Sequence, residues 1–166
     1  GGLDSSIICA LVKKHYKGDL HTWSIGFEGS EDLKYAQEVA NHIGSIHHPI
    51  EVSEQEFLDN IPNVIEAIES YDTTTVRASV GNWLICKYIK ENSNAKVIFN
   101  GDGADEVMGG YLYFHAAPDV VSFDKECRRL IKDIHAFDVL RSDKSISSNG
   151  LEPRTPFLDK NFVQTY

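Results

Sequence analysis

The run Leu20–Val52, LHTWSIGFEGSEDLKYAQEVANHIGSIHHPIEV, changes its hydrophobic period twice. Leu20–Phe27 is short, rich in β-branched and aromatic residues and closed by Gly29, which reads as a strand. Ser30 stands where a helix cap belongs. Leu33, Ala36, Val39, Ala40 and Ile43 then fall on one face of a helix over Glu31–Ile43, and Gly44 ends it. Ile46–Val52 reads as a second strand. A helix between two such strands is the crossover of a βαβ unit, which joins parallel strands.

The same alternation extends both ways. Upstream, Leu3, Ile7, Ile8, Leu11 and Val12 have helical spacing within Asp4–Tyr16, Lys13, Lys14, His15 and Lys17 load the C-terminal end, and Gly18 stops it. Downstream, Ser53 and Glu56 form a capping box for a helix near Glu54–Asn60, and Pro62 suits the first turn of another that runs to about Glu69. Arg77–Glu91 is helical, and Lys96–Asn100 (KVIFN) is a buried-type strand running into Gly101-Asp102-Gly103. Phe123–His135 and Ala136–Ser147 read as helices and Gly150–Phe157 as irregular chain, with Pro153 and Pro156 fixing an extended loop. The expected fold class is α/β: a Rossmann-like parallel sheet with a helical C-terminal extension. A glycine turn that opens a helix normally follows a strand. A first strand is therefore expected before Gly1, and the sequence is expected to be a piece of a longer polypeptide.

Composition narrows the function classes. The 166 residues carry 16 Lys+Arg against 25 Asp+Glu, a formal net charge of −9, which opposes the basic face a nucleic-acid binder needs. A hydrophobic content of 42% suits a globular core and excludes wholesale disorder. No apolar run approaches the ~20 residues of a membrane helix, so no membrane partner is expected. Cys9, Cys86 and Cys127 sit at unrelated spacings, neither a disulfide framework nor a zinc site; they read as three buried small hydrophobes of a reduced, cytoplasmic protein.

Two stretches carry chemistry. Gly1-Gly2-Leu3-Asp4-Ser5-Ser6 opens a helix, and its glycines allow close backbone approach to an anion at the helix N-terminus. It lacks the Gly-Lys-Ser/Thr of a Walker A loop; the alternative is a plain glycine turn with Asp4 or Ser5 as cap. Gly101-Asp102-Gly103-Ala104-Asp105-Glu106 sets three carboxylates at the carboxyl end of a strand, where ligands of open parallel sheets bind. Their mutual repulsion suits an intervening cation. Mg²⁺ accepts carboxylate and phosphate oxygens together, whereas Ca²⁺ or a solvated acidic turn are the competing readings. Tyr71–Ser79 (YDTTTVRAS) offers hydroxyls and Arg77 at a helix start, either a carboxylate grip or a capped helix. His47 and His48 are adjacent on a strand, point to opposite faces and read as strand residues rather than metal ligands. Tyr111–His115 reads as packing.

Together, GGLDSS, TTTVRAS, NGDGADEVMGGYLYFH, AFDVLRSDK and EPRTPFLD, in this order from Gly1 to about Phe162, resemble the synthetase domain of the glutamine-hydrolysing asparagine synthetases. The first matches the SGGxDS pyrophosphate loop of the ATP-pyrophosphatase class without its leading Ser. The resemblance implies the adenine nucleotide alpha hydrolase type of Rossmann-like fold, a partial synthetase domain over residues 1–166 and an N-terminal glutaminase domain outside this sequence. It implies attack of the aspartate side-chain carboxylate on the α-phosphate of ATP, giving β-aspartyl-AMP and pyrophosphate. Ammonia from glutamine then displaces AMP. On this reading Gly1, Gly2, Asp4, Ser5 and Ser6 hold pyrophosphate, Ile25 meets adenine through its backbone, and Asn100 and Gly101 line the nucleotide site. Asp4 and Asp105 serve Mg²⁺, and Thr74, Arg77, Glu106, Asp138 and Arg141 surround the aspartyl group. A homodimer of the full-length enzyme is compatible with the family.

Departures accompany the likeness. Asparagine synthetases commonly carry Ser-Gly-Glu where this sequence has Asn100-Gly101-Asp102. The family Glu is credited with a role at the intermediate, with deprotonation of ammonia one suggested form of it; Asp102 keeps the carboxylate on a stem one methylene shorter. None of the three cysteines matches the glutaminase nucleophile, and Lys160 does not match the catalytic Lys that the family carries beyond PFLD. The expected activity is asparagine synthesis, with Asp102, Arg77 and Glu106 as catalytic candidates. A β-lactam synthetase-like amide ligase and a catalytically silent nucleotide-binding fragment are the alternatives.

Overall fold

The computed structural model describes residues 1–166. Within Leu20–Val52, strand β1 (His21–Gly26), helix α2 (Glu31–Ile43) and strand β2 (Ile46–Glu51) form the expected unit. β1 and β2 are parallel, paired from His21 with Ile46 to Gly26 with Glu51. Leu33, Ala36 and Ala40 of α2 are buried, and Gly44 ends it in the left-handed conformation. Ser30 occupies the cap position without capping; its hydroxyl is buried and unpartnered.

Helix α1 (Leu3–His15) precedes β1. After β2 come α3 (Glu54–Asp59), α4 (Ile61–Ile68) and the long α5 (Thr73–Asn92). Ser53 caps α3 by accepting the Glu56 N–H at 3.0 Å, but the Glu56 carboxylate turns away to accept the Tyr88 hydroxyl at 2.7 Å. Only half of the capping box forms. α5 begins four residues before Arg77, because Asp72 accepts both the Thr75 N–H and the Thr75 hydroxyl at 2.7 Å. Strand β3 (Val97–Phe99), α6 (Ala104–Met108), α7 (Val120–Asp133), α8 (Asp138–Ser147), strand β4 (Glu152–Arg154) and α9 (Lys160–Thr165) complete the chain.

β4 corrects the expectation of irregular chain over Gly150–Phe157. It pairs in parallel with β3, Val97 with Glu152 through Phe99 with Arg154. Pro153 hid it, yet proline is tolerated on an edge strand, where its missing N–H faces no partner. The strands thus form two parallel pairs, β1–β2 and β3–β4, rather than one hydrogen-bonded sheet. Both rest on the same helices. Trp23 of β1 and Ile98 of β3 pack against one cluster of Cys86, Ile89, Ile146 and Leu151. A second cluster, Val64, Ile68, Val76, Val80 and Leu84, joins α4 to α5 and meets Ile25 of β1.

Two of the three cysteines are buried, and Cys9 is partly exposed. Burial pushes the Cys86 thiol up to about 12. His47 and His48 part as the strand period requires: His47 bonds Thr22 and Ser24 at 3.0 Å, while His48 stacks on Trp23 at 4.1 Å. No helix is long and apolar enough to cross a membrane.

Candidate functional site

The site is built where α1 begins. Gly2 holds the cap position of α1 in extended backbone and offers no side-chain cap. Neither Asp4 nor Ser5 caps the helix. The Ser5 and Ser6 hydroxyls instead fold back and donate to the Gly2 carbonyl at 3.1 and 2.6 Å. The first N–H groups of α1 are therefore left for an outside acceptor.

The acidic turn after β3 comes directly against this helix start. A Cβ on Gly101 would lie 2.9 Å from Asp4 Cβ and 3.0 Å from the Ser5 nitrogen, so only glycine permits the approach. Gly103, at φ +91°, starts α6 from the left-handed region and packs under Leu158, tying the PFLD segment to the turn. The result is an open cleft of about 240 Å³ lined by Gly2, Asp4, Ser5, Gly101, Asp102, Gly103 and Asp105 together with Glu106, Tyr111, Asp138 and Arg141.

The electrostatics of this cleft are lopsided. Five carboxylates (Asp4, Asp102, Asp105, Glu106 and Asp138) share one guanidinium, Arg141, which pairs with Asp138 across one helical turn. Burial, then the charge of Asp105, pushes the Asp4 carboxyl up. Burial also pushes Asp102 up; the Ser142 hydroxyl and Arg141 oppose the shift, and Asp138 adds to it. One of the Asp102 carboxylate oxygens, Oδ2, is buried without a partner. Glu106 is only 3% exposed, receives the Tyr111 hydroxyl, and is pushed up chiefly by desolvation with Asp138 contributing. Asp4 and Asp105 have no cationic side chain beside them, and no cluster of three metal-ligating side chains is present. Two hard oxygen donors, short of a full protein cage, fit Mg²⁺, which is commonly held by one or two carboxylates together with substrate phosphates.

The cleft therefore gathers Gly2, Asp4, Ser5, Gly101, Asp102, Asp105, Glu106, Asp138 and Arg141 from the expected set. Gly1, Ser6, Ile25, Asn100, Thr74 and Arg77 do not line it. Ile25 packs its side chain against the α4–α5 core and lies opposite Ile50 in the β1–β2 ladder. Asn100 turns its amide to Ser142. Thr74 and Arg77 are exposed on the first turns of α5, and Arg77 makes no ion pair. Tyr111 is a correction, since it forms part of the wall of the cleft rather than packing alone, and Leu112 beside it is exposed. Only Phe114 of that segment is buried. Gly103 and Tyr111 line the cleft beyond the expected set, and Gly109-Gly110 between Glu106 and Tyr111 is the sequence signal of a turn there.

The sequence profile of the asparagine synthase family matches residues 1–124 and 118–166. The chain belongs to the asparagine synthase family. It is 47% identical over 171 residues to the glutamine-hydrolysing asparagine synthetase of Bos taurus, covering all of this chain and 30% of that protein. The rat enzyme, Rattus norvegicus, gives the same figures. Asparagine synthetase 1 of Arabidopsis thaliana is 45% identical over 174 residues, covering 99% of this chain and 30% of its own length. The chain thus spans about a third of the curated relatives it matches.

Proposed function

We propose that the protein carrying this chain makes asparagine from aspartate and ATP through β-aspartyl-AMP, with ammonia from a glutaminase domain elsewhere in the protein. One observation carries the reading. A glycine-opened helix start, with free N–H groups, shares a single cleft with a carboxylate turn and an Arg–Asp pair. That combination suits an anion at one end and a zwitterionic amino acid at the other.

In this reading the backbone of Gly1 and Gly2 and the starts of Asp4, Ser5 and Ser6 hold the pyrophosphate. Asp4 and Asp105 would hold Mg²⁺, which when bound supplies positive charge against the leaving pyrophosphate. The Ile25 backbone faces adenine, and Asn100 and Gly101 border the nucleotide. Glu106, Asp138 and Arg141, joined by Thr74 and Arg77, hold the aspartyl group with its carboxylate aimed at the α-phosphate. Asp102 takes the proton released when ammonia attacks the acyl carbon; its raised affinity for a proton brings it nearer to that task.

The same proposal covers the finer fold. A further strand from before Gly1 lies between β1 and β3, making one adenine nucleotide alpha hydrolase sheet. The two pairs already rest on a common helix layer, and no backbone hydrogen bonds join β1 to β3. A cytoplasmic, homodimeric enzyme belongs to this reading. The test is pyrophosphate release by the full-length protein. Release from ATP that requires aspartate supports asparagine synthesis; equal release without it, or preference for another carboxylate, sinks the assignment.

A further inference from the structure

Tyr111 stands five residues after Glu106, and its hydroxyl donates to Glu106 Oε1. The turn between them makes that bond possible. Gly109 ends α6 in the left-handed region at φ +66°, and the Gly110 N–H returns to the Asp105 carbonyl at 3.0 Å. A Cβ on Gly110 would collide with the Asp105 carboxylate, so only glycine lets the chain fold back this tightly. The Tyr111 ring stacks on Tyr113 with centroids 6.0 Å apart, and the Tyr113 hydroxyl donates to Glu126 at 2.9 Å. Arg129 clamps Glu126 in turn, with bonds of 2.8 and 2.7 Å. Tyr111 and Glu106 both line the cleft and also a second cavity of about 440 Å³ next to it.

Glu106 is 3% exposed and forms no ion pair, since Arg141, the one guanidinium of the cleft, pairs with Asp138. A buried carboxylate without a cation is costly to keep charged, and a phenol hydroxyl offsets part of that cost by giving it a hydrogen bond. What Glu106 still lacks is a positive charge, which an amino-acid substrate brings in its α-ammonium. We propose that Tyr111 is a positioning residue whose hydroxyl holds the Glu106 carboxylate in place to receive the ammonium of the aspartate substrate. It acts through Glu106 rather than on the reacting atoms. Desolvation pushes the Glu106 carboxyl up and the charge of Asp138 adds to this, while the Tyr111 bond pulls it back down. The other charged groups on these two cavities are Asp4 of α1, Asp102 and Asp105 beside Glu106, Asp138 and Arg141 of α8, and the Glu126–Arg129 pair of α7. Tyr111→Phe leaves all of them in place, so a changed titration reads the hydroxyl.

The inference rests on the proposed activity, and its test separates the two. Tyr111→Phe, Glu106→Gln and the double variant are made in the full-length protein. Tyr111→Phe is expected to raise the KM for aspartate about tenfold while the KM for ATP stays unchanged. The acid limb of its kcat/KM profile for aspartate moves to higher pH, because the bond that favours the charged Glu106 is gone. An unchanged KM for aspartate, an equal rise in the KM for ATP, or an unmoved acid limb overturns the inference. Wild-type protein that releases no aspartate-dependent pyrophosphate defeats the activity instead. The hold of Tyr111 on Glu106 is then read from urea midpoints at pH 4 and pH 8. Loss of the hydroxyl lets the folded protein bind the Glu106 proton more tightly, so Tyr111→Phe should lose more stability at pH 8 than at pH 4. With Glu106→Gln already present, that difference should vanish. A loss equal at both pH values, or a difference that persists beside Gln, overturns the hold.

Discussion

Glu106 is a carboxyl group with 3% of its surface exposed, taking a tyrosine hydroxyl and feeling the negative charge of Asp138. Desolvation raises its proton affinity above the ordinary 4.5, so the folded protein holds that proton more tightly than the unfolded chain. The stability it contributes is full below pH 4.5 and is lost as pH rises through the folded value. Glu106→Gln removes the titration while keeping an oxygen for Tyr111 and offering an N–H to Asp138. The variant is expected to unfold at a higher temperature than wild type at pH 8 and at nearly the same temperature at pH 4, although it should lose activity. A wild-type advantage that grows with pH would show that Glu106 is held charged. Glu106 was legible in the sequence as part of the acidic turn, which the structure places on the wall of the cleft. Tyr111 was not, because a tyrosine beside Leu112, Tyr113 and Phe114 looks the same in sequence whether its ring packs or its hydroxyl reaches a carboxylate.

At the scale of elements, legibility followed periodicity. Leu33, Ala36 and Ala40 of α2 and the parallel pairing of β1 with β2 were readable because a changing hydrophobic period specifies which face is covered. The start of α5 and the strand β4 were not. Asp72 extends the helix through side-chain bonds that no hydrophobic pattern records, and three residues containing Pro153 carry no alternation to read. α5 matters beyond its length, since Val76, Val80 and Leu84 anchor it to α4 while its first turns present Thr74 and Arg77. Leu84 is fully buried, whereas Leu58 on α3 is half exposed. Leu84→Ala is expected to cost roughly 2–5 kcal/mol of stability by transfer and cavity terms together. Leu58→Ala should cost far less. Urea unfolding of the two variants checks the contrast, and equal losses would mean that the α4–α5 cluster does not anchor the helix.

For the whole molecule, the question is how a protein of net charge −9 would take up an anion such as ATP. The cleft worsens the problem, with five carboxylates and one guanidinium on its walls. Backbone N–H groups at the start of α1 carry only partial charge, so they grip a phosphate at contact range and do little to draw it in from solution. On the proposed reading the remaining positive charge arrives with the nucleotide as Mg²⁺. Two consequences for the full-length protein follow from this balance. ATP binding should be lost when Mg²⁺ is chelated. Raising salt from about 50 to 200 mM should leave the KM for Mg²⁺–ATP nearly constant or slightly lower, because screening weakens repulsion between the nucleotide and an acidic surface. A site gripping phosphates with many lysines and arginines would instead lose roughly a thousandfold over that range. Steady-state kinetics across the salt series decides between them. A steep loss of ATP affinity with salt would mean that cationic side chains outside these 166 residues, rather than the α1 helix start, carry the grip.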